Sequence, residues 1–346
     1  IGSPDLEPHP KVIEALKEAI CHPRAHMYQS YQGLPEFREA IVDFYKNYYE
    51  VTLDSKNEVL PLMGSKEGIM HLSMAYLNPG DQVLIPNPGY PTYASVTNLM
   101  EAETVLYDLK PENGWQPDFK TLESLDTTKI KIMWLNYPHM PTGTDSSEKI
   151  FDRLIKWAKK SDILLVNDNP YSFVLTKKPK SILSRPGAHE VAVELNSLSK
   201  SFNMAGWRIG MLCGKSEVIK QTLKVKSNMD SGMFFGIQKG AIEALKMKPN
   251  WFKSLNQIYY KRKRLMENLV VKLGATIENE SVGLFIWAKL PKGAPKSEVF
   301  IDNILTKKNI FITPGTIFGS QGEGYIRLSL CVSEVLIKQA IERMKS

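Results

Sequence analysis

The chain has 346 residues, more than one ordinary domain holds, and its 43% hydrophobic and 10% aromatic content excludes a disordered polymer and supplies a sizeable core. Its net charge of +7 could suit a polyanion or a membrane surface, but 44 Lys and Arg are interleaved with 37 Asp and Glu rather than gathered, so no nucleic-acid or membrane partner is expected. Three cysteines, Cys21, Cys213 and Cys331, show neither CxxC nor metal-ligand spacing, which points to a reducing, cytoplasmic setting and to no metal site.

No apolar run reaches the roughly 18 to 20 residues of a membrane span, and the start does not read as a signal peptide. The chain opens on Ile1 rather than methionine, so further residues are expected before it, and targeting cannot be judged from what is present.

Gly2-Ser3-Pro4-Asp5-Leu6 is turn chemistry, and a helix should follow from Pro10 to about Ile20 with Val12, Ile13, Leu16 and Ile20 on one face. Residues 27–38 read as a loop entering a helix at Leu34 or Pro35, and Tyr28 by itself is an aromatic that packs in that loop. The apolar run 59–63 then meets Gly64-Ser65-Lys66-Glu67-Gly68 and a helix through Tyr76. A glycine turn opening a helix aims free backbone N–H groups outward and can hold an anion, although many helices begin Gly-Ser. The strand at 81–86 leads into a loop where Tyr90 is placed either to stack on a flat ring or simply to pack.

Strand-like runs at 104–107, 130–135 and 163–166, with a helix at 147–159 between the last two, predict a mainly parallel sheet with helices on both faces. Functional groups should collect at the carboxyl ends of such strands. Asn136-Tyr137-Pro138-His139-Met140-Pro141-Thr142-Gly143 follows one strand, with His139 as a turn residue. Asn167-Asp168-Asn169-Pro170-Tyr171 follows the next, and Asp168 alone is an ordinary loop carboxylate. The strand Val191-Ala192-Val193-Glu194-Leu195 runs into Ser197-Leu198-Ser199-Lys200-Ser201, with Arg208 eight positions beyond the lysine.

A strand at 208–214 and helices to Leu273 come next; Lys261-Arg262-Lys263-Arg264 within them reads as a solvated helix face. Strands at 283–287, 310–313 and 325–330 close the chain, and Arg327 alone is a surface-strand arginine. There is no internal repeat, low-complexity tract or flexible linker.

Lys200, set between small hydroxyl residues at the end of a buried strand, has the setting of a Schiff-base lysine beside a phosphate site. The Ser197-Leu198-Ser199-Lys200…Arg208 segment resembles the motif of fold-type I pyridoxal-phosphate (PLP) enzymes. Its continuation, Phe202-Asn203-Met204-Ala205-Gly206-Trp207-Arg208-Ile209-Gly210, is similar to class I and II aminotransferases. The 136–143 segment resembles their Asn-Pro-x-x-Pro-Thr-Gly, with Tyr137 at a position usually filled by proline. The resemblance runs through essentially the whole chain and is greatest to aspartate aminotransferase-like enzymes of the subgroup containing LL-diaminopimelate aminotransferases.

This resemblance implies an α/β fold: a large PLP-binding domain at 30–250, built on a mainly parallel seven-stranded sheet between helices, and a smaller α+β domain at 251–346, with 1–29 near it and the active site. It implies PLP joined to Lys200, which also moves the substrate proton; Asp168 on the ring nitrogen; Asn136 and Tyr171 on the phenolic oxygen; and Tyr90 over the ring. The phosphate would fall to Gly64, Ser65, Lys66, Ser197, Ser199 and Arg208, with Tyr28 arriving from the other subunit of a homodimer. Arg327, Asn136 and Gly2 would bind the substrate carboxylate. The activity implied is transfer of an amino group from an L-amino acid to a 2-oxo acid in two half-reactions, with pyridoxamine phosphate between them. A PLP-dependent lyase acting on a β-leaving group and a non-catalytic module of this fold are the alternatives; no helix-turn-helix extension accompanies the chain.

Overall fold

The computed structural model describes residues 2–278 and 280–345. Seven strands form the larger sheet: β1 (Val59–Leu62), β2 (Gln82–Asn87), β3 (Glu103–Asp108), β4 (Ile130–Leu135), β5 (Leu164–Asp168), β6 (Ala192–Ser197) and β7 (Gly210–Gly214), in the order β1-β7-β6-β5-β4-β2-β3. Helices cover both faces, so the central strands are buried on both sides and carry near-continuous apolar runs. Period-two alternation divides them between two cores: Leu165, Met211 and Cys213 enter one, Val166, Leu212 and Leu195 the other.

Strands β2 to β6 pair in parallel, whereas β7 runs antiparallel to both β1 and β6. The reversal matters for chemistry. Gly210, the first residue of β7, lies opposite both Leu62 at the end of β1 and Ser197 at the end of β6. The turn after β1, the Lys200 segment after β6 and Arg208 before β7 therefore meet at one edge. Glycine is required at 210, because a Cβ there would lie 2.7 Å from the Ser65 amide nitrogen and 2.8 Å from the Asn196 carbonyl oxygen.

A second, three-stranded antiparallel sheet has the order β8 (Phe285–Lys289), β10 (Tyr325–Ser329), β9 (Thr313–Pro314). Arg327 sits on the central strand, opposite Trp287 and Thr313. The strand expected at 310–313 is shorter and later than its apolar run suggests, since only Thr313 and Pro314 find partners on β10 and Phe311 is exposed.

The first helix spans Pro10–Ile20 as expected, but Ile20 is exposed and Ala19 takes the buried place. The basic cluster at 261–264 departs further from expectation. In the helix Pro249–Lys272 the inward stripe is Leu255, Tyr259, Arg262, Met266 and Leu269, spaced by four and three residues, so Arg262 falls on the core side. It is buried and forms a bidentate pair with Asp5, Nη1 to Oδ1 at 2.6 Å and Nη2 to Oδ2 at 2.9 Å, while Nη1 also donates to the Leu330 carbonyl at 3.0 Å. That pair anchors the opening segment of the chain to the long helix and to the end of the β10 strand.

Candidate active site

At the carboxyl edge of the large sheet lies a cavity of about 530 Å³. Lys200, Asp168, Tyr171, Asn136, Tyr90, Ser65, Lys66, Ser197, Ser199, Arg208, Arg327 and Gly2 all border it. Gly64 lies behind its wall, and Tyr28 stands apart, 90% exposed. Residues 227–233 do not border it within this chain, and Gly232 abuts the Gln29 carbonyl. The bordering ionisable side chains include four cations, Lys66, Lys200, Arg208 and Arg327, against the single carboxylate of Asp168, a balance that favours anionic ligands.

Asp168 ends β5 and is buried. Its Oδ2 accepts a hydrogen bond from Tyr93 Oη at 3.0 Å, and its Oδ1 is buried with no hydrogen-bond partner. Burial pushes this carboxyl up to about 7, against the stabilising hydrogen bond from Tyr93 and the attraction of Lys200. A buried acceptor left open toward a cavity is costly unless a donor arrives there.

Lys200 lies in the short helix Leu198–Ser201 immediately after β6, and its Nζ donates to the Gly2 carbonyl at 2.5 Å. Burial holds its ammonium below the usual lysine range, with Arg208 and Arg327 adding repulsion. Ser197 Oγ caps the turn by accepting from Ser199 N at 3.1 Å, and it donates to Ser199 Oγ at 2.8 Å. Arg208 reaches the same place, Nη1 donating to the Ala205 carbonyl at 2.9 Å. Its guanidinium packs against Gly64, where a Cβ would come within 2.3 Å of Nη2 and where φ is +87°, so glycine serves both clearance and backbone. The helix Ser65–Tyr76 begins directly after, opening its first amide groups beside Arg208.

At the opposite end Arg327 is sandwiched between rings, its Cζ 4.1 Å from the Phe285 centroid and 4.6 Å from that of Phe318. Its Nη1 touches only the weak acceptor Met140 Sδ at 3.3 Å, its Nε is buried without a partner, and among the described residues no carboxylate pairs with it. A desolvated planar fork without an anion is suited to receive one.

Asn136 is tied into the scaffold at both ends: Nδ2 donates to the Asp168 carbonyl at 2.7 Å and Oδ1 accepts from Met140 N at 2.9 Å. One N–H remains for a ligand. Tyr171 is buried edge-on to Phe285, and burial drives its phenol well above the usual range, so it stays protonated and able to donate. His139 is buried with its pKa lowered by burial to about 3, and Nδ1 lies 2.8 Å from Thr142 Oγ1; it is a neutral turn residue.

Sequence reasoning missed Tyr93, Met140, Phe285 and Phe318. For two of them the partner is distant in the chain, 75 residues for Tyr93 and Asp168 and 187 for Met140 and Arg327, while Phe318 falls between two predicted strands in a stretch with no motif.

The set fits PLP. The partnerless Oδ1 of Asp168 could accept from a protonated ring nitrogen, the Gly64 turn with Arg208 and two serines could receive a phosphate, and the largely buried Lys200 borders the same cavity.

Residues 1–344 match the family model described as aminotransferase class I and II. An LL-diaminopimelate aminotransferase of Aquifex aeolicus is 39% identical over 348 residues, covering 100% of this chain and 90% of the relative. One from Halothermothrix orenii is 40% identical, covering 100% and 89%. Among solved structures, apo-BacF from Bacillus subtilis superposes with a TM-score of 0.96 at 36% identity, over 99% of this chain and 88% of that one. An aminotransferase from Staphylococcus aureus gives 0.94 at 32% identity, over 99% and 91%.

Proposed function

The chain belongs to aminotransferase class I and II, and from that premise we propose that the cavity at the carboxyl edge of the large sheet is its active site, with Lys200 as anchor and proton carrier. It is a PLP-dependent transaminase. When bound, PLP supplies an electron-withdrawing ring that stabilises negative charge at the substrate α-carbon.

The chain's own groups do the rest. Ser65 and Lys66 amides, Ser197, Ser199 and Arg208 would hold the phosphate, Tyr90 would cover the ring, and Asn136 and Tyr171 would donate to its phenolic oxygen. Asp168 holds a proton on the ring nitrogen. Arg327 grips the α-carboxylate from between Phe285 and Phe318, which fixes the orientation of the Cα–H bond. Lys200, whose burial disfavours the ammonium, would serve as the base that takes the proton from the substrate α-carbon. Gly2 and Phe285 pack against each other in the wall of the cavity.

The observation that carries this reading is the partnerless, buried Asp168 Oδ1, on a residue that borders the same cavity as Lys200 and an arginine without an anion. The test is the visible spectrum of the protein with PLP, before and after separate additions of LL-diaminopimelate, glutamate, aspartate and alanine, with keto acid assayed. Bleaching of the yellow band with stoichiometric keto acid is expected, and LL-diaminopimelate is the first donor to try because relatives bear that name. Lys200→Ala should take turnover below detection; a variant that turned over normally refutes the role of Lys200.

The working unit proposed is a cytoplasmic homodimer in which Tyr28 of the partner subunit completes the phosphate site. Supporting it are the 90% exposure of Tyr28, its separation from its own cavity, and three cysteines that are all unpaired. The division into a large domain at 30–250 and a small one at 251–346 is kept as a proposal that follows the two sheets.

A further inference from the structure

Tyr93 belongs to no motif, yet it touches the two groups that would define the environment of the cofactor ring. It is fully buried, and its hydroxyl donates to Asp168 Oδ2 at 3.0 Å. Its ring lies flat on Trp134, with centroids 4.9 Å apart and planes at 5°, and meets Tyr90 edge-on at 5.5 Å. Trp134 is itself fully buried on β4, and its carbonyl accepts from Tyr107 Oη at 2.6 Å. A phenol stacked on a fully buried indole has its ring and hydroxyl oxygen held in place by packing, within reach of the acid.

A carboxylate has two oxygens, and an acid that serves a ring nitrogen needs one of them free and aimed. Tyr93 occupies Oδ2, and Oδ1 is the oxygen left without a partner. We propose that Tyr93 is a positioning residue for the cofactor's ring nitrogen, holding the Asp168 carboxyl ionised and turned so that Oδ1 receives the ring N–H. The inference rests on the reading of Asp168 as the partner of that nitrogen. Burial already raises the Asp168 carboxyl to about 7, so removing the Tyr93 donor shifts the balance of the shared proton from the ring nitrogen toward the carboxyl. The same phenol abuts Tyr90, so the acid at the ring's edge and the aromatic over its face are set by one side chain.

The experiment reconstitutes wild type, Tyr93→Phe, Asp168→Asn and the double variant with PLP labelled with ¹⁵N in the ring, and records the nitrogen resonance at neutral pH together with kcat/KM. Phenylalanine keeps the stack and nearly the whole volume and removes only the hydroxyl. The Tyr93→Phe resonance should move downfield toward unprotonated pyridine, kcat/KM should fall on the order of tenfold, and the double variant should match Asp168→Asn. If Asp168→Asn moves the resonance and Tyr93→Phe does not, the role of Tyr93 is refuted while that of Asp168 stands. If Asp168→Asn leaves it in place, the assignment of the acid fails as well. Should Tyr93→Phe take up cofactor poorly, carboxyl ¹³C titration of the cofactor-free variant reads the same point: the Asp168 titration must move upward from wild type, and an unmoved titration overturns the proposal.

Discussion

Replacing Asp168 by asparagine in the cofactor-free protein removes one buried charge while keeping the shape and an acceptor for Tyr93. The folded carboxyl titrates at about 7, pushed up chiefly by burial, against an ordinary 3.8. The native state therefore binds this proton more tightly than the unfolded chain does. Between those two values it holds more protons, so stability falls as pH rises through the window and levels off above it. A difference of about three units is worth about 4 kcal/mol as an upper bound, since water entering the cavity reduces it. The stability of wild type minus that of Asp168→Asn should thus fall by up to about 4 kcal/mol between pH 4 and pH 8. Urea unfolding of both cofactor-free proteins at one-unit pH steps measures it. A difference that is flat, or that rises with pH, refutes the claim that Asp168 is held against its charged form. Added PLP should stabilise wild type more than the variant, because only the carboxylate can pair with a protonated ring nitrogen.

Arg327→Lys keeps the charge but loses the planar fork held between Phe285 and Phe318, so KM for the amino donor should rise on the order of tenfold or more in steady-state kinetics, with a smaller fall in kcat. Gly64→Ala places a Cβ within 2.3 Å of Arg208 Nη2 at a φ of +87°, and PLP affinity by spectral titration should weaken by about tenfold. Mixing Lys200→Ala subunits with Tyr28→Phe subunits should give more activity than the two homodimers contribute separately, because each hybrid regains one intact site; strict additivity refutes the shared site.

Much of the candidate site was legible because its members stand where a parallel sheet delivers them to one cavity. Asp168, Asn136 and Lys200 follow or end apolar strands, and a strand ending in polar residues is visible in one dimension. The antiparallel β7 was not visible, although it is what brings Arg208 to the same edge as Lys200. Arg262 misled for a related reason. Four consecutive basic residues look like one solvated face, yet a helix turns about 100° per residue, and its inward stripe claimed one of the four for an acid 257 residues away. Met140 stood in a quoted segment and Tyr93 lies three residues past Tyr90, but both were indistinguishable from packing residues, since a hydroxyl or thioether gains meaning only from the partner that folding supplies. Asn136 shows the converse: its position was evident, but its commitment to the Asp168 carbonyl and the Met140 amide was not.

The Arg262 guanidinium also has a mechanical consequence. It grips Asp5 and the carbonyl of Leu330, three residues past Arg327 on the same run of chain. Gly2, three residues before Asp5, is at once the acceptor for Lys200 and a close neighbour of Phe285, the ring beneath Arg327. The segment that carries the acceptor of Lys200 and the strand that carries Arg327 are thus tied together at one guanidinium, outside the cavity that both border.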